Sequence, residues 1–527
     1  MKITAKKIVG LLLVVVLLAT ALVGCGGKKD EVVDGGGQTL TYWVILDGNA
    51  APVVGSYDEL LLYQEMEKKF NVDLQFVHPV SGQDTEQFNL MLASRDLTDV
   101  IETNWLRVYN GGPDKAVSDG IIISLNDLIE AGKTPNLSKL LEAEDDFRKS
   151  LMTESGDFYV FPSVGSKSSA NFGGLFLRQD WLDELGLEVP ETIDEWEVVL
   201  TAFKEKKGAT TPFTTTFGTM LTGVFDGAYG LDSRFYIEDG KVMYGALDPM
   251  FKDYIIRMRD WVEKGLIDRD IFSNDQKSVD NKIVNNKAGA SYGSIGANLG
   301  RYMTLAEETG IEGFNLVGAQ FPVLKKGDTP THGPYNPLYN GNCSAAISTK
   351  NTKVDLTAEI LDYAYSEEGG LLYNFGVEGI TYNMVDGYPT YTDLILKNPD
   401  GLPVAQAMSK HFRANAGAPT LGSYPAYLEQ YYTYDLQIEA LKTFNEYTDS
   451  FSKNYYPMAA SLTPEESEEI ATLQNDIITY CDEMITKFVI GTEPIEKFDE
   501  FVANLKTIGV ERAIEIKQAA YDRYIKR

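Results

Sequence analysis

The sequence predicts an α/β fold in which two lobes enclose a central cleft. Residues 39–101 alternate between strand-like and helical patterns, and this βαβαβ rhythm requires right-handed crossovers and a parallel sheet. Apolar strand-like runs return at 157–177, 314–323 and 342–348, as expected where a chain crosses repeatedly between two lobes. The last third is mainly helical. Because ligands of open α/β sheets bind at the carboxyl ends of the strands, the cleft is the expected functional site.

The expected organisation follows from these crossings and from the composition of the first residues. Residues 1–24 form a signal peptide, residues 25–38 a flexible tether, residues 39–165 and 315–395 lobe 1, and residues 166–314 and 396–527 lobe 2 with the C-terminal helices.

The amino terminus predicts export. Three lysines at positions 2, 6 and 7 precede an apolar run at 8–23, which is shorter than the roughly 20 residues that a membrane-spanning helix needs. The motif Leu22-Val23-Gly24-Cys25 resembles a bacterial lipobox, which implies cleavage before Cys25 and diacylation of its sulfur. The alternative is an ordinary signal peptide with an unrelated cysteine.

Composition excludes several classes of partner. The 527 residues carry a formal net charge of −30, which repels phosphate backbones and anionic lipid headgroups, so we expect no nucleic-acid partner. A strongly anionic ligand is also disfavoured unless a local basic pocket overrides this field. The hydrophobic content of 44% and the aromatic content of 11% argue against disorder.

Cysteines and histidines give no support for a metal or redox site. Cys343 lies in an apolar run and Cys481 on a predicted helix, so we expect buried free thiols, although the two could pair in an exported protein. There is no C-x-x-C motif, and His78, His332 and His411 have no i, i+4 partner. No cofactor and no metal are therefore expected.

The stretch 175–203, LFLRQDWLDELGLEVPETIDEWEVVLTAF, predicts a strand followed by two helices. Asp180 is placed to cap the first helix, and Gly186 is placed to end it. Thr192 and Glu195 form an S/T-x-x-E capping box at the start of the second helix. The apolar residues that recur at helical spacing and give that helix one buried face are Ile193, Trp196, Val199, Leu200 and Phe203.

This stretch resembles the "RKDWLDKLGL-x-x-P-x-T-x-DEW" segment of family 1 extracellular solute-binding proteins. Specifically, it is similar to the large lipoproteins that serve sugar-uptake ABC transporters in Gram-positive bacteria. Four further ordered blocks carry the resemblance: EDGKV at 238–242, WVEKGLID at 261–268, YSEEGG through NFGVEG at 365–379, and C-terminal pieces at 462–466, 487–491 and 518–524.

The resemblance implies a periplasmic-binding-protein-like fold and a monomeric receptor on the outer face of the cell membrane. Such a receptor captures an oligosaccharide by lobe closure, delivers it to the permease subunits of an ABC importer, and performs no catalysis. One departure matters, because several relatives carry an acidic loop suited to calcium soon after the DEW helix. Here residues 204–213 read KEKKGATTPF, and lysines stand where calcium needs carboxylates, so we predict no calcium at that place.

Enzyme motifs are weak. Residues 289–293, GASYG, fit G-x-S-x-G, but a nucleophile elbow needs a buried strand before it and a helix after it, and neither is indicated. Paired carboxylates for glycoside hydrolysis are uninformative among 77 acidic residues. The alternatives that stay open are an anchored polysaccharide hydrolase or lyase, a binding protein for a non-sugar solute such as a peptide, and a surface adhesin or sensor partner.

Aromatic and polar residues at predicted loop mouths are the candidate ligand-binding residues. Sugar rings stack their C–H faces on aromatic rings, while their hydroxyls need hydrogen-bond donors and acceptors. The candidates are Trp43, Asp47, Trp105, Tyr109, Arg178, Tyr229, Tyr292, Asn298, Tyr335 and Tyr339. Trp181 and Trp196 are assigned to the core, so the 175–203 stretch is mainly architectural, with Arg178 as its one candidate for the cleft. No catalytic residue is predicted.

Overall fold

The computed structural model describes residues 37–216, 218, 224–339, 341, 343–413, 416–422 and 424–527. Residues Thr39–Arg527 belong to one unit. The signal peptide, residues 25–36 of the tether and the lipidation candidate Cys25 lie outside the described residues. Among the helices of the described part, none combines the length and the apolar character needed to cross a membrane.

The strands are numbered in chain order. They are β1 (Gln38–Trp43), β2 (Val72–Val77), β3 (Val100–Thr103), β4 (Phe161–Val164), β5 (Gly173–Arg178), β6 (Phe213–Thr214), β7 (Phe235–Glu238), β8 (Lys241–Tyr244), β9 (Ala290–Ser294), β10 (Leu316–Ala319), β11 (Ser344–Ile347), β12 (Tyr382–Val385), β13 (Tyr388–Tyr391) and β14 (Thr420–Leu421).

The helices are numbered in the same way. Those before β10 are α1 (Leu61–Phe70), α2 (Asp84–Ser94), α3 (Gly112–Ser118), α4 (Asn126–Glu130), α5 (Pro135–Ala143), α6 (Asp145–Ser150), α7 (Gln179–Leu185), α8 (Ile193–Lys207), α9 (Pro249–Glu263), α10 (Gln276–Val284) and α11 (Arg301–Thr309). Those after β11 are α12 (Val354–Tyr363), α13 (Glu367–Phe375), α14 (Asp393–Leu396), α15 (Val404–Ser409), α16 (Pro425–Tyr431), α17 (Asp435–Asn445), α18 (Thr448–Asn454), α19 (Pro464–Ile490), α20 (Phe498–Ile508) and α21 (Val510–Tyr524). A π-helix, Ile295–Gly300, follows β9 directly.

Two sheets organise the chain. The first has the strand order β14-β4-β11-β3-β1-β2, and the second has the order β10-β5-β9-β6. Strands β1 and β3 are parallel, as the βαβαβ pattern predicts, but β11 runs antiparallel to both β3 and β4. The first sheet is therefore mixed, because the chain returns to it after the second sheet and runs through β11 in the direction opposite to β3 and β4.

The apolar core divides into two main clusters, and the first of them reaches both sheets, since it includes Phe176 of β5 and Leu316 of β10. The first cluster contains Trp43, Trp105 and Ile347 together with residues of α16 and α17. The second contains Trp196 and Trp261 and extends into the C-terminal helices α19, α20 and α21. The predicted α/β architecture with a helical C-terminal region is thus present.

Helix α8 forms as its capping box predicts. Thr192 Oγ1 accepts the amide proton of Glu195 at 3.2 Å, and Glu195 Oε2 accepts the amide proton of Thr192 at 3.1 Å. The predicted apolar face is buried, with Trp196 fully inaccessible to solvent. At α7 the N-cap residue is Arg178 rather than Asp180, and the Asp180 carboxylate binds the guanidinium of Arg178 instead.

Helix α17 packs unusually close to the second sheet. A β-carbon placed on Gly174 of β5 would lie 2.4 Å from ring carbons of Phe444, and one on Gly318 of β10 would lie 3.0 Å from the β-carbon of Ala440. Larger residues at either glycine would therefore push the helix away. Asn171, just before β5, and Asn445, at the end of α17, also exchange hydrogen bonds of 2.9 and 2.7 Å. These bonds hold α17 against the segment that enters the second sheet.

Residues 396–422 belong to the part of the chain that the sequence assigns to lobe 2, and they include strand β14. Strand β14 pairs with β4 in the first sheet, and Met408 and Phe412 belong to the first apolar cluster. The chain therefore stays with the first sheet until about residue 422, where the amide of Gly422 donates to the carbonyl of Val164 at 2.8 Å. Helix α16 follows immediately.

Candidate functional site

At one edge of each sheet, the chain enters a strand beside the point where a neighbouring strand ends. In the first sheet, β1 and β3 are parallel, and Ser344 at the start of β11 pairs with Thr103 at the end of β3. The loops after β1 and β3 and the segment before β11 therefore share one edge. In the second sheet, Gly173 at the start of β5 pairs with Ser294 at the end of β9. The chain thus enters the second sheet at the edge from which the π-helix begins.

A cluster that we call the tyrosine junction forms at this edge. We define its members as Tyr427, Tyr431 and Tyr432 at α16, Gly296 in the π-helix, which Tyr431 and Tyr432 adjoin, and Asp47 after β1 and Cys343 before β11, which are linked to them through the charge of Asp47. A β-carbon built on Gly296 would lie 3.5 Å from Cε1 of Tyr431 and 3.8 Å from Cε1 of Tyr432. Helix α16 therefore places aromatic rings against the π-helix that follows β9, and Ile295 and Leu299 of that helix lie in the same apolar cluster as Tyr427 and Tyr432.

The rings of the junction have a defined geometry. Tyr427 and Tyr431 are four residues apart on α16, and their rings stack with centroids 5.6 Å apart and an interplanar angle of 7°. The ring of Tyr432 lies 5.4 Å from that of Tyr431 at an angle of 55°. Tyr431 is half-buried, whereas Tyr427 and Tyr432 are each 8% exposed, so Tyr431 presents the accessible ring.

Asp47 is oriented by its own loop. Its backbone N–H donates to the hydroxyl of Tyr57 at 2.9 Å, and its Oδ1 accepts the amide proton of Asn49 at 2.8 Å. Its second carboxylate oxygen has no hydrogen-bond partner among the residues that the structure describes. Burial raises the pKa of Tyr431, and the negative charge of Asp47 adds to this rise, which places the carboxylate within electrostatic reach of the ring.

His78 holds the loop that carries Asp47. Its Nδ1 lies 2.8 Å from the carbonyl oxygen of Val44, and its Nε2 accepts the amide proton of Tyr57 at 3.2 Å. These two bonds require a neutral ring with the proton on Nδ1. Burial lowers the pKa of His78, which favours the same neutral form.

A buried polar network lies beneath the junction. The guanidinium of Arg413 and the carboxylate of Glu102 form an ion pair of 2.8 Å, and both side chains are less than 5% exposed. Glu102 also accepts the amide proton of Ala418 at 2.9 Å, and the hydroxyl of Tyr42 lies 2.9 Å from the carbonyl oxygen of Ala418. The segment that leads into β14 and α16 is therefore anchored to β1 and β3.

Cys343 adjoins this network. Burial raises the pKa of its thiol to about 12, and the neighbouring carboxylates of Glu102 and, more weakly, Asp47 contribute in the same direction. Its sulfur and that of Cys481 are both free, as the sequence predicts, but only Cys481 is fully buried, whereas Cys343 is partly exposed. Cys343 is thus a protonated thiol at the rim of the junction, without nucleophilic character at neutral pH.

Three predicted ligand residues lie within or beside the first core. Trp43 is 3% exposed and Trp105 is fully buried, and both rings pack against Phe88 at centroid distances of 5.6 and 5.9 Å. Tyr109 is half-buried and donates its hydroxyl proton to Asp119 at 2.7 Å. We do not include these residues in the candidate site, because Trp43 and Trp105 are buried and the hydroxyl of Tyr109 is bound to Asp119.

Arg178 and Tyr229 lie away from the junction. Arg178 is at the end of β5 opposite to the crossing, is 3% exposed, and binds both oxygens of Asp180 at 2.6 and 2.7 Å. Tyr229 packs against Tyr254 of α9 at 5.8 Å. Its pKa is raised to about 12 by burial, although the positive charge of Arg257 acts in the opposite direction.

Tyr292 and Asn298 flank the start of the π-helix. Tyr292 is half-buried and packs against the second cluster, and burial raises its pKa to about 12. Asn298 is 7% exposed, and its side chain accepts from the amide of Ser294 at 2.9 Å and donates to Tyr302 at 3.2 Å. Asn298 therefore supports the π-helix that carries Gly296.

Tyr335 and Tyr339 line a separate cavity of about 370 Å³. Its walls are formed by α6, by segments within 166–170 and 335–339, by α18 and by the end of α21. The ring of Tyr335 meets that of Tyr455 edge-on at 5.4 Å, whereas Tyr339 is 2% exposed and its hydroxyl lies 3.0 Å from Ser344 Oγ. The cavity shares no lining residue with the tyrosine junction, so we treat the two as distinct.

Sequence reasoning found Asp47 but missed the tyrosines of α16. Residues 424–434 read YPAYLEQYYTY, with five tyrosines in eleven positions, and this density was the available signal. Tyr427 and Tyr431 have the i, i+4 spacing that stacks two rings on one helix face. Glu102 and Arg413 carry no such signal, because 311 residues separate them.

The place where calcium was considered does not fit that ion. Helix α8 continues through Lys204–Lys207 to the left-handed cap Gly208. The Lys207 ammonium binds Glu184, and that of Lys204 binds the carbonyl of Lys264. Across the described part of the chain, no group of three or more His, Cys, Asp or Glu is arranged to hold a metal ion.

The two sheets and the segments that cross between them form an α/β fold of the periplasmic-binding-protein type. The chain is a homologue of the extracellular solute-binding proteins that serve sugar ABC transporters. No protein-family model matches it.

Three similar proteins support this assignment. The chain is 26% identical over 504 residues to the fructooligosaccharide ABC transporter substrate-binding protein FusA of Streptococcus pneumoniae, covering 89% of this chain and 87% of FusA. It is 24% identical over 387 residues to the lipoprotein LipO of Bacillus subtilis, covering 70% and 73%. The crystal structure of the alginate-binding protein AlgQ2 without calcium ion superposes with a TM-score of 0.67 at 25% identity, covering 92% and 98%.

These similarities confirm the predicted fold class and the family resemblance. FusA and AlgQ2 are both named as binding proteins, in agreement with the prediction that this chain is not an enzyme.

Proposed function

We propose that this protein is the lipid-anchored substrate-binding component of an ABC importer and that it captures an oligosaccharide at the tyrosine junction. The observation that carries the proposal is the position of Tyr431. Its half-buried ring stacks on Tyr427, adjoins Gly296 of the π-helix, and is affected by the negative charge of Asp47. An accessible aromatic face beside a fixed carboxylate matches the C–H face and the hydroxyls of a sugar ring.

Binding is proposed to act through closure. Asp47 follows β1 of the first sheet, whereas α16 leads into α17, which packs on β5 and β10 of the second sheet, so a sugar between Asp47 and Tyr431 would contact both sides of the crossings. A ligand that binds the closed arrangement better than the open one shifts the population toward closure. The permease would then recognise the closed form and receive the oligosaccharide.

Anchoring rests on the lipobox at residues 22–25 and on the similarity to LipO, which is named as a lipoprotein. Diacylation of Cys25 would hold the protein at the outer face of the membrane beside its permease. Metabolic labelling with an alkyne-bearing palmitate tests this. The full chain should be labelled and remain with membranes, and the C25S chain should be unlabelled and released. Equal labelling of both chains would contradict the anchor.

The binding proposal is tested by calorimetry with neutral and acidic oligosaccharides of two to six units and with peptides of matched length. We expect an oligosaccharide to bind and Tyr431→Ala to weaken it at least about tenfold, or about 1.4 kcal/mol. Tyr480→Ala on α19 is the matched control, since Tyr480 is also a half-buried tyrosine packed against a ring but lies outside the junction. Binding of peptides alone would contradict the sugar assignment.

The enzyme alternative has a direct test. The purified chain is incubated with the bound oligosaccharide, and new reducing ends or unsaturated ends are measured. We expect none over many hours. Turnover abolished by one Asp or Glu substitution would contradict the proposal.

A further inference from the structure

The cavity that Tyr335 and Tyr339 line has no role in the proposed function, and we call it the Tyr335 cavity. Its volume of about 370 Å³ lies in the lower part of the range of about 300–1,000 Å³ that sites for small organic ligands occupy. It shares no lining residue with the tyrosine junction. A ligand of this cavity would therefore be compact, with about one or two six-membered rings.

Aromatic rings from three parts of the chain converge on the Tyr335 cavity. Tyr335, in the segment before β11, and Tyr455, just after α18, meet edge-on with ring centroids 5.4 Å apart. Tyr521 of α21 lines the cavity as well. All three side chains are half-buried, so the protein holds each ring while part of it stays accessible to a ligand.

Two phenol hydroxyls at the cavity are available to a ligand. The hydroxyl of Tyr339 is already engaged, because it lies 3.0 Å from Ser344 Oγ. The hydroxyls of Tyr335 and Tyr521 have no hydrogen-bond partner among the residues that the structure describes. A ligand without polar groups would displace water from these hydroxyls and leave them unbonded, which costs free energy. The cavity therefore favours a ligand that has hydroxyl groups beside an apolar face.

The charges that line the Tyr335 cavity are of both signs. They belong to three acidic residues and three lysines, which are Glu144, Asp146, Asp449, Lys149, Lys167 and Lys453. Lys167 pairs with Glu144 at 2.8 Å. Lys149 pairs with Asp145, which does not line the cavity, at 2.7 Å. The lining charges balance, and a field of mixed sign favours an uncharged ligand over a cation or an anion.

We infer that the Tyr335 cavity is a second ligand site and that it takes an uncharged mono- or disaccharide. The C–H face of a sugar ring fits the accessible aromatic rings. The sugar hydroxyls would meet the unbonded hydroxyls of Tyr335 and Tyr521 and the exposed amide of Asn336 at the rim. Because this cavity and the tyrosine junction share no lining residue, either can bind a ligand without the other.

Calorimetry and saturation-transfer NMR on the full chain test the class of ligand. Uncharged hexoses, pentoses and disaccharides are compared with glucuronate, glucosamine, choline and indole, which are charged or largely apolar probes. We expect at least one uncharged saccharide to bind at the cavity at least about tenfold more tightly than each of these four probes. A charged or apolar probe that binds there as tightly as the best saccharide, or the absence of any saccharide binding, would overturn the inference.

Two variants locate the bound saccharide. Ser452→Trp fills the cavity from α18 and should abolish binding. Tyr335→Phe removes one unbonded hydroxyl and should weaken binding about threefold to tenfold without changing stability. Tyr424→Phe is the matched control and should bind normally. Tyr424 is also half-buried, and its hydroxyl also has no hydrogen-bond partner in the described part of the chain, but it does not line the cavity.

A variant of the junction separates the two sites. Tyr431→Ala should leave saccharide binding at the cavity unchanged, because Tyr431 is not among its lining residues. If Tyr431→Ala abolishes the binding while Tyr335→Phe and Ser452→Trp leave it intact, the saccharide binds only at the junction. That result would contradict the second site and leave the proposed function standing.

Discussion

Glu102 and Arg413 are separated by 311 residues in the chain, yet their side chains form an ion pair of 2.8 Å that is almost completely buried. Glu102 lies on β3, one of the strands whose carboxyl ends border the junction. Arg413 lies in the segment that leads to the tyrosines of α16. This pair connects the scaffold to the ligand-binding candidates, and it makes the junction sensitive to changes beneath it.

Removing one partner of this pair should be costly. Arg413→Met leaves the Glu102 carboxylate buried without a counter-ion, and we expect unfolding free energy in urea to fall by about 3–5 kcal/mol. Lys68→Met is the control, since Lys68 pairs with Glu65 at 2.7 Å on an exposed face and should change stability little. The double variant E102Q/R413M should recover part of the loss. A loss below about 1 kcal/mol for Arg413→Met would contradict the buried pair.

Gly417 should not tolerate a side chain. Its φ is +103°, and a β-carbon there would lie 1.4 Å from Nη2 of Arg413 and 2.6 Å from Oε1 of Glu102. Gly417→Ala should therefore destabilise the protein by more than about 2 kcal/mol and weaken ligand binding, because the start of α16 must shift. Gly401→Ala is the control that separates backbone strain from steric collision. Gly401 also has a positive φ, of +68°, but a β-carbon built there would have no atom within 4 Å. Equal losses for both variants would argue against the collision.

His332 should make stability depend on pH. Its ring is 7% exposed, meets Tyr236 edge-on at 5.1 Å, and burial lowers its pKa to about 4. The unfolded chain, with a histidine pKa of about 6.5, then binds a proton more readily than the folded chain between about pH 6.5 and 4. This contribution is complete above pH 6.5 and is lost on acidification, by on the order of 3 kcal/mol in total.

The measurement compares unfolding free energy from pH 7.5 to 4 in the unmodified chain and in His332→Asn. The comparison is needed because the pKa of Asp226 is raised to about 7 by burial, which gives a dependence of the opposite sign. Asp226 contributes to both chains, so the difference between them isolates His332. Parallel curves for the two chains would contradict the assignment.

Cys343 should react slowly despite its partial exposure. With a pKa of about 12, its thiolate is rare at pH 8, and alkylation by iodoacetamide should be more than about a hundredfold slower than for a free cysteine. Using C25S removes the lipidation site from the assay. Glu102→Gln should speed the reaction, because one of the charges that raise the pKa is gone. A rate equal to that of free cysteine would contradict the buried, carboxylate-flanked environment.

Local features of this chain were predictable because neighbouring residues determine them. The capping box of Thr192 and Glu195, the buried face of α8 and the left-handed stop at Gly186 all depend on residues within four positions of one another. The parallel pairing of β1 and β3 followed from the alternation of strand and helix, which leaves few arrangements.

The candidate site was harder to predict, because exposure decides which aromatic residues can meet a ligand. Trp43 ends β1 and Trp105 follows β3, which are positions where the sequence suggests ligand-binding residues. Both side chains are instead buried in the first core. Arg178 lies at the wrong end of β5 and is neutralised by Asp180 two residues away. Asp47, after β1, keeps one carboxylate oxygen without a hydrogen-bond partner in the described part of the chain.

By itself the sequence determined the α/β class, the positions of the best-capped helices, the family resemblance and the candidate lipid anchor at Cys25. These depend on local spacing and on motifs that can be recognised one at a time. The tertiary structure alone decided that the charge of Asp47 acts on Tyr427 and Tyr431 and that Arg413 reaches Glu102. Such interactions join residues hundreds of positions apart, and only the crossings of the folded chain bring them together.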